Sequence, residues 1–454
     1  MSSGDDTDLG VRLPNSWQSW KDINKMSPEW CQPWETLRPF FLSHGYDLYK
    51  YDQKTMANPT SNRLGSPALD SFGLYGDRGE GFKCYMARVT VVFGARDRLN
   101  RDVVIKVVSK GEENIHEFDI LQLLNSEPLK SDPVNTTVPI LEFIQFQDWT
   151  FAVMPYCDDS FDPPMLNAEE CLDFSEQLLT VRPIHCRQPT KRLLTGRLTL
   201  QGLSFLHKNR IAHLVPSTPF PGERSFTHEF EQDISYENIL INHHGKIPPA
   251  YSWVSPQQIG QIWPPPEFRS TFPVRYLITD FGYSHRFPLS LPLTKCWMDP
   301  MDDKHGREHG REHKAPEVSH TRFDPFAADV YQTARLFYSW FYYITPNIPG
   351  YLELLQDMTS FYPPDRPSAA ASLERLRRLR TQLPEEKRFE LVDGLEPGNW
   401  WPIVQRPFWR TLREIFLTRG FSIAAQYMLV IAKDHLTSLS RRLVGIITSN
   451  VSLK

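Results

Sequence analysis

Cysteine is scarce in this sequence and is never paired at short range. The six cysteines are scattered, with no CxxC pair and no cluster at metal-ligand spacing. They are Cys31, Cys84, Cys157, Cys171, Cys186 and Cys296. The pattern argues against structural zinc and favours a reducing compartment.

A charge excess, a secretory leader and a long apolar run are also lacking. The net charge of -4 over 454 residues gives no global field that would favour nucleic acid or an anionic membrane as partner. The first ten residues are acidic and polar, the reverse of a secretory leader. The most apolar C-terminal stretch, Phe421–Ala432, falls short of the roughly 20 residues needed to span a bilayer. We expect an intracellular protein, of cytoplasm or nucleus, with no nucleic-acid partner and no membrane span.

Enough apolar sequence is present for a sizeable core. Hydrophobic residues make up 40% of the chain and charged residues 23%, as is typical of globular proteins. Short β-branched runs come first and amphipathic helical patterns follow, which predicts an α+β fold rather than a doubly wound sheet. The predicted strands are Tyr85–Phe93, Asp102–Val108, Val138–Phe146 and Trp149–Pro155, and the predicted helices are Glu112–Asn125, Ala168–Leu179, Gly202–Lys208 and Asp329–Tyr343.

Polar residues with a chemical use recur at fixed points in this order. Lys106 lies inside a predicted strand, in VVIK, and Glu117 follows in the next helix, off its apolar stripe. Asp233 and Asn238 in DISYENIL have the spacing D-x-x-x-x-N before an apolar run. Asp280, in a DFG triplet, ends the apolar stretch YLIT. Together these residues supply a cation for phosphate groups, a base, and oxygen ligands for magnesium.

Three later features complete the series and carry a family resemblance. They are Glu317 in an APE triplet, Asp329 in DVYQTARLF and Arg366 in DRPSA. Across Tyr85–Leu379 the ordered motifs resemble those of eukaryotic protein kinases, and in particular the divergent kinase-like domains numerous in mushroom-forming fungi. Each motif is common alone, whereas six in the correct order are not.

The resemblance implies a two-lobed kinase-like fold. A small β-rich lobe would span 85–156 and a larger helical lobe 157–383, with an N-terminal extension and loop at 1–84 and a C-terminal extension at 384–454. The implied activity is transfer of the γ-phosphoryl group of ATP to serine or threonine hydroxyls of a protein, with ATP and Mg²⁺ as cofactors. The sequence names neither the protein substrate nor the oligomeric state.

The same resemblance assigns chemical roles. Lys106 would orient the α and β phosphates, and Glu117 would hold Lys106. Asp233 would accept the proton of the attacking hydroxyl. Asn238 and Asp280 would bind magnesium.

Other residues are implied to contact the nucleotide itself. Met154 matches the gatekeeper position, and Tyr156 and Cys157 belong to the hinge that would meet adenine. Gly79 and Gly81, in RGEGFKCYMARV, partly fit the phosphate-covering glycine loop. An ordinary glycine turn is the alternative for these two glycines.

Two substitutions depart from the family pattern. Leu214 follows His213 where the family has arginine, so control by activation-loop phosphorylation is not expected. Ser235 stands where serine/threonine kinases place a lysine, and losing a comparable charged contact costs about 3 kcal/mol, or about a hundredfold in rate. A catalytically impaired pseudokinase, acting as a nucleotide-binding or interaction scaffold, is therefore the first alternative. A small-molecule kinase is the second, disfavoured by the APE triplet and the two motifs that follow it.

Two segments interrupt the pattern. Residues 181–201 fall inside a predicted helix, where Pro183 and Pro189 forbid helical continuation. Residues 215–232 separate the His-Leu pair from Asp233. Both segments begin with valine and end with glutamine, whose codons can supply the boundary signals of an intron, and we hypothesise that both are retained introns. Surface insertions are the alternative, since loops tolerate added length.

Two further segments have simpler interpretations. Residues 246–273, rich in proline, favour a surface loop over a partner-binding motif. The repeat HGREHGREH, His305–His313, favours a short tandem duplication over a metal site.

Overall fold

The computed structural model describes residues 13–23, 30–50, 58–59, 84–85, 90–99, 101–159, 165, 167–179, 202–214, 238–242, 274–300, 315–318, 321–341 and 344–390. Within them the chain is a mixed α+β protein, with its longest strands first and its longest helices later. This confirms the predicted α+β class. The predicted insertions at 181–201, 215–232 and 246–273 lie outside the described residues, as does the His305–His313 repeat.

An antiparallel sheet forms the first part of the fold. Its strands, in chain order, are β1 (Asp47–Leu48), β4 (Val92–Arg96), β5 (Asp102–Lys110), β6 (Glu142–Phe146) and β7 (Trp149–Pro155), and a separate short ladder joins β2 (Asn58–Pro59) to β3 (Cys84–Tyr85). The spatial order is β1-β4-β5-β7-β6. Central strand β5 pairs Lys106 with Val92 on one side and with Ala152 on the other.

The face of the sheet away from Lys106 is covered by the N-terminal helices α1 (Trp17–Lys21) and α2 (Gln32–Ser43). Trp20 and Trp34 are fully buried there. The Trp34 ring stacks 5.3 Å from Phe93, and the Trp20 ring meets Trp149 edge-on at 4.9 Å. The boundary predicted at residue 85 therefore does not separate two cores, because residues before it complete the core of the sheet.

The opposite face of the sheet packs on helix α3 (Ile115–Leu124). Side chains of a strand alternate between its two faces. Ile105 and Val107 accordingly pack in the same core as the N-terminal tryptophans. Val108 lies in the core on the other face of the sheet, with Ile120 of α3. Lys106 shares the α3 side, which places a cation under the helix.

Short strands connect the sheet to the helical part. Strands β8 (Asp158–Asp159), β10 (Ile239–Asn242) and β11 (Arg275–Ile278) form a three-stranded sheet in the order β11-β10-β8, and β9 (Ile211–Ala212) pairs with β12 (His285–Arg286). The bridge from Thr137 to Ile278 joins the chain before β6 to β11. The end of β11 is thereby fixed beneath the first sheet.

The helices of the second part pack around the core that also contains Ile120 of α3, and a smaller separate cluster includes Phe326 and Tyr331. These helices are α4 (Ala168–Leu179), α5 (Leu203–Lys208), α6 (Pro325–Phe341), α7 (Tyr351–Met358), α8 (Ala369–Gln382) and α9 (Glu385–Phe389), with 3₁₀ turns at Leu293–Lys295, Thr345–Asn347 and Pro363–Asp365. Arg380 of α8 pairs with Glu169 and Glu176 of α4. Arg388 of α9 also pairs with Glu169, so contacts cross the boundary predicted at residue 384. In the part of the chain that the structure describes, no helix has the length and apolarity to cross a membrane.

Helices α4 and α5 are joined by a backbone hydrogen bond between residues on either side of the predicted insertion. The amide of Gly202 donates to the carbonyl of Gln177 at 3.1 Å, and Leu206 then donates to Gly202. If residues 181–201 are left out of the count, Gly202 stands four positions after Gln177, which is the spacing of an α-helical hydrogen bond. Gln177 and Gly202, on either side of the predicted insertion, are therefore hydrogen-bonded as they would be in a chain without it.

Most predicted elements are found, with shifted ends. Trp149–Pro155 and Ala168–Leu179 match their predictions. Of the strand predicted at Tyr85–Phe93, residues 86–89 lie outside the described residues, and its end is found in the strand Val92–Arg96, because pairing with β5 continues to Arg96 opposite Asp102. The other predicted elements are found as Asp102–Lys110, Ile115–Leu124, Glu142–Phe146, Leu203–Lys208 and Pro325–Phe341.

Deletion of residues 181–201 should leave the protein folded. The junction retains a helical hydrogen bond between Gln177 and Gly202, so the shortened chain can close α4 and α5 into one helix. We expect thermal unfolding at or above the temperature of the full chain, measured by circular dichroism. Gly202→Pro in the shortened chain should cost about 3 kcal/mol by removing that amide. A shortened chain that fails to fold would contradict the continuous-helix interpretation.

Truncation of Trp34 should test whether the N-terminal helices belong to the core. Its indole nitrogen donates to the Thr90 carbonyl at 2.8 Å and its ring is fully buried. Trp34→Ala should lower the free energy of unfolding by about 3–5 kcal/mol in urea titrations. Leu42→Ala is the control, because Leu42 lies in the same helix and is 58% exposed. Equal effects of both changes would show that α2 packs weakly.

Candidate functional site

The site is organised by the buried ammonium of Lys106. Its side chain is 9% exposed. Nζ lies 2.5 Å from Oε1 of Glu117 and 2.8 Å from Oδ1 of Asp280. Burial lowers the pKa of Lys106, but the charges of Asp280 and Glu117 outweigh it and raise that pKa. Lys106 is therefore a fixed cation shared by two carboxylates.

Glu117 reaches Lys106 from the first turn of α3 and is almost fully buried. Its second oxygen accepts from Nδ2 of Asn114 at 2.9 Å, and the same nitrogen donates to the Val108 carbonyl at 2.7 Å. Asn114 itself has a left-handed φ of 57°, a conformation that asparagine tolerates better than most residues. Asn114 thus orients Glu117 and joins α3 to β5.

Sequence reasoning missed Asn114. The available signal was an asparagine immediately before an amphipathic run, with a glutamate three residues later, a pattern usually interpreted as a helix start. Here the amide does not cap the helix and holds the glutamate instead.

Asp280 follows β11 in a strained backbone conformation, with φ of 62°. Its Oδ1 accepts from Lys106 and, at 3.4 Å, from the Gly282 amide. Burial raises the pKa of Asp280, but the Lys106 ammonium outweighs burial and lowers that pKa to about 2. The side chain is 33% exposed. An ionised carboxylate therefore faces solvent beside a buried cation.

The β10–β11 hairpin brings Asn238 to the same place. Ile239 pairs with Ile278, and the Thr279 amide donates to the Asn238 carbonyl at 3.0 Å. Asn238 consequently lies next to the residue that precedes Asp280. Carboxylate and amide oxygens suit Mg²⁺, which usually takes one or two protein ligands together with substrate phosphates and water.

Asn238 and Asp280 could therefore supply two of the oxygen ligands of a Mg²⁺ ion. Among the residues that the structure describes, no group of three or more His, Cys, Asp or Glu side chains is placed to hold a metal by itself. A metal at Asp280 and Asn238 would need the remaining ligands from phosphate oxygens or water.

The predicted hinge follows β7. Met154 is buried. It pairs with Val104 of β5, so it lies on the strand next to the one that carries Lys106. The Tyr156 amide donates to the Asp102 carbonyl at 3.1 Å. That amide therefore bonds within the sheet and is not the one that would donate to a ligand at the predicted hinge, which also contains Cys157.

The chain that leads to the predicted base is anchored on α6. Both carboxylate oxygens of Asp329 accept from backbone amides, from His213 at 2.9 Å and from Leu214 at 2.8 Å. The His213 ring reaches the Thr279 carbonyl at 3.1 Å and meets the Phe281 ring edge-on at 5.1 Å. Residue 214 is thereby held beside residues 280–284, which form the Asp280 turn. Burial lowers the pKa of His213.

The predicted base Asp233, the glycines Gly79 and Gly81, and the Ser235 substitution lie outside the described residues. Leu214 is described and is a buried apolar side chain with φ of 45°.

Glu317 of the APE triplet pairs with Arg366 of DRPSA. Arg366 binds both carboxylate oxygens, at 2.6 and 2.9 Å, and its side chain is fully buried. Its guanidinium also lies 4.7 Å from the Tyr331 ring centroid. The pair ties the APE segment to α6 and to the chain before α8.

No family model matches the sequence, and the comparison with curated proteins finds no match either. The kinase resemblance therefore depends on the order of the motifs and on the contacts described above.

Replacement of Lys106 should destabilise the protein in a pH-dependent way. Asp280 has a lowered pKa in the folded protein, so its pairing stabilises the fold above the unfolded pKa near 4 and loses that contribution as pH falls toward about 2. Lys106→Met removes the cation, so the pKa of Asp280 rises and burial then opposes its charge. We expect a loss of about 3 kcal/mol at pH 7 in urea titrations and a smaller loss at pH 4.

The matched control is Lys110→Met on the same strand. Lys110 pairs with Asp148 at the protein surface, where ion pairs contribute about 1 kcal/mol or less. A Lys106→Met loss that is the same at both pH values would contradict the assigned charge state of Asp280.

Proposed function

We propose that this chain is a protein-kinase-like phosphotransferase that moves the γ-phosphoryl group of ATP to serine or threonine hydroxyls of a protein, on a two-lobed fold. The observation that carries the proposal is the Lys106 ammonium bonded to Glu117 on one side and Asp280 on the other. Phosphoryl transfer is catalysed mainly by positioning and by charge stabilisation. A fixed cation beside an ionised carboxylate is suited to both.

The chemistry assigns a task to each group. Lys106, on the face of the sheet that packs on α3, would neutralise charge on the α and β phosphates. Asn238 and Asp280 would hold Mg²⁺. When bound, Mg²⁺ offsets negative charge on the phosphate oxygens. The acceptor hydroxyl oxygen would bond to the γ-phosphorus as the bond from that phosphorus to the ADP oxygen breaks. Asp233 would take the hydroxyl proton.

The Glu317–Arg366 pair supports a macromolecular acceptor over a small one. In the family that the sequence resembles, this pair stabilises the segment that binds peptide substrates. A fully buried arginine with both carboxylate oxygens in contact costs stability if either partner is lost. Its presence favours a protein substrate over the small-molecule kinase alternative.

Leu214 favours a second candidate, a nucleotide-binding pseudokinase. An apolar, buried side chain stands where an activating phosphate would need an arginine, and Ser235 removes a further cation from the site. Binding of the nucleotide would survive both changes, because Lys106, Asn238 and Asp280 are retained. The two candidates differ in turnover and not in nucleotide binding.

The deciding measurement is Mg²⁺-dependent ATP binding by thermal shift, followed by phosphate transfer to a serine/threonine peptide library. We expect ATP with Mg²⁺ to raise the unfolding temperature, and Asp280→Asn to remove the Mg²⁺-dependent part and at least about a hundredfold of any transfer rate. Asp365→Asn, on an exposed aspartate of the helical part, is the control. The assay should compare the full chain with a version lacking 181–201 and 215–232.

The outcomes separate the candidates. Binding with transfer supports the kinase, and binding without transfer by either version supports the pseudokinase. No Mg²⁺-dependent response from either version would overturn both.

A further inference from the structure

The Asp280 turn needs support from outside itself. Asp280 has a left-handed φ of 62°, which carries a steric cost that is smaller for aspartate than for most residues, and neighbouring contacts help to fix it. Within the turn, Ser284 donates through its hydroxyl to the His213 carbonyl at 2.8 Å. On the α3 side, the His116 ring nitrogen lies 2.6 Å from the Gly282 carbonyl. The N-terminal helix α1 contacts the turn from a third direction, through Lys21.

Helix α1 is hydrogen-bonded to the residues before α3 and to strand β5. The Trp17 amide donates to a carboxylate oxygen of Glu113 at 2.6 Å, just before α3, and its indole nitrogen donates to the Val107 carbonyl at 3.4 Å on β5. Trp20 anchors the same turn of helix in the core. The hydroxyl of Thr90 donates to the Trp20 carbonyl at 2.8 Å. Helix α1 is therefore a fixed point from which a side chain can act.

Lys21, the last residue of α1, extends from this fixed point to the Asp280 turn. Its ammonium donates to the Tyr283 hydroxyl at 3.3 Å and lies 4.8 Å from the centroid of the Tyr283 ring. It also lies 5.0 Å from the Trp17 ring. A cation is attracted to the face of an aromatic ring, so the two rings help to hold the Lys21 ammonium in place. Tyr283 directly follows Gly282, so Lys21 restrains the segment that carries Asp280.

A groove of about 670 Å³ opens between α1, α3 and residues 282–286, with Lys21 in its wall. Lys21 is half-buried, so shortening its cationic end leaves no void in the core. The residue can therefore be tested without unfolding the sheet.

We propose that Lys21 is a positioning residue, and that α1 acts through the Lys21–Tyr283 contact to hold the Asp280 turn in the orientation that faces the magnesium site. Its effect on metal and nucleotide binding rests on the proposed function. Its effect on the conformation of the turn does not. This dependence on a segment before the sheet was not visible in the motif pattern, where residues 1–84 were expected to be an extension.

The test compares Lys21→Met with Lys21→Arg in the full chain. Lys21→Met should increase hydrogen–deuterium exchange of residues 279–286 several-fold and leave residues 149–155 of β7 unchanged. Lys21→Arg keeps the cation over Tyr283 and should restore protection. Tyr283→Leu should reproduce the effect of Lys21→Met with α1 intact. Lys50→Met, on an exposed lysine of the same N-terminal segment, is the matched control.

A second readout concerns the metal. For Lys21→Met, the Kd for ATP without Mg²⁺ should stay within about twofold, while the gain in affinity on adding Mg²⁺ falls at least threefold. A merely structural lysine would weaken both together.

The outcomes keep this inference apart from the proposed function. Unchanged exchange at 279–286 in Lys21→Met and Tyr283→Leu overturns the positioning role, as does an equal increase in the Lys50 control. If wild-type protein binds no ATP but the exchange pattern follows the expectation, the proposed function fails and the positioning role stands.

Discussion

The pairing of Lys106 with Glu117 and Asp280 is the interaction on which the rest of the structure depends. A lysine that is 9% exposed loses most of its hydration, and a buried charge is tolerated only with close partners. The lysine lies on β5, and its two partners come from α3 and from the residue pair after β11. Meeting this one requirement therefore fixes the helix against the sheet and the hairpin beneath both, and it leaves an ionised carboxylate facing solvent.

The scaffold around this pairing uses two different kinds of support. Behind β5, aromatic rings of the N-terminal helices fill the core, with Trp20 and Trp34 fully buried. Below the site, Asp329 binds two successive backbone amides, which fixes the chain at Leu214 without using its side chain. Packing holds the cation in place, and a buried carboxylate holds the backbone beside Asp280. A leucine can consequently occupy position 214 without loss of the anchor.

The motif residues were predictable because their chemistry needs particular side chains at particular spacings. Lys106, Glu117 and Asp280 are brought together as the sequence indicated, and Glu317 meets Arg366. Asn114 was not predictable, because its side chain acts on a glutamate rather than on the helix end, and spacing alone does not distinguish the two. The role of the N-terminal tryptophans was missed for a related reason. Their partners lie far along the chain, as Trp20 with Trp149 shows, and periodicity reports only local burial.

The interruption at 181–201 poses the remaining question of how a helix can contain a long insertion. An α-helix normally propagates one hydrogen bond at a time along the chain, yet here the bond from Gly202 to Gln177 closes across residues that the helix does not need. Added chain length between two fixed points costs free energy that grows only with the logarithm of that length. Leu178, Leu179, Leu203 and Leu206 are buried in the same core on both sides of the junction. The packing of α4 and α5 is thus specified by residues outside the insertion. The hypothesis that residues 181–201 were added to a helix that was already complete, in the protein or in the transcript, predicts this arrangement of the flanking residues.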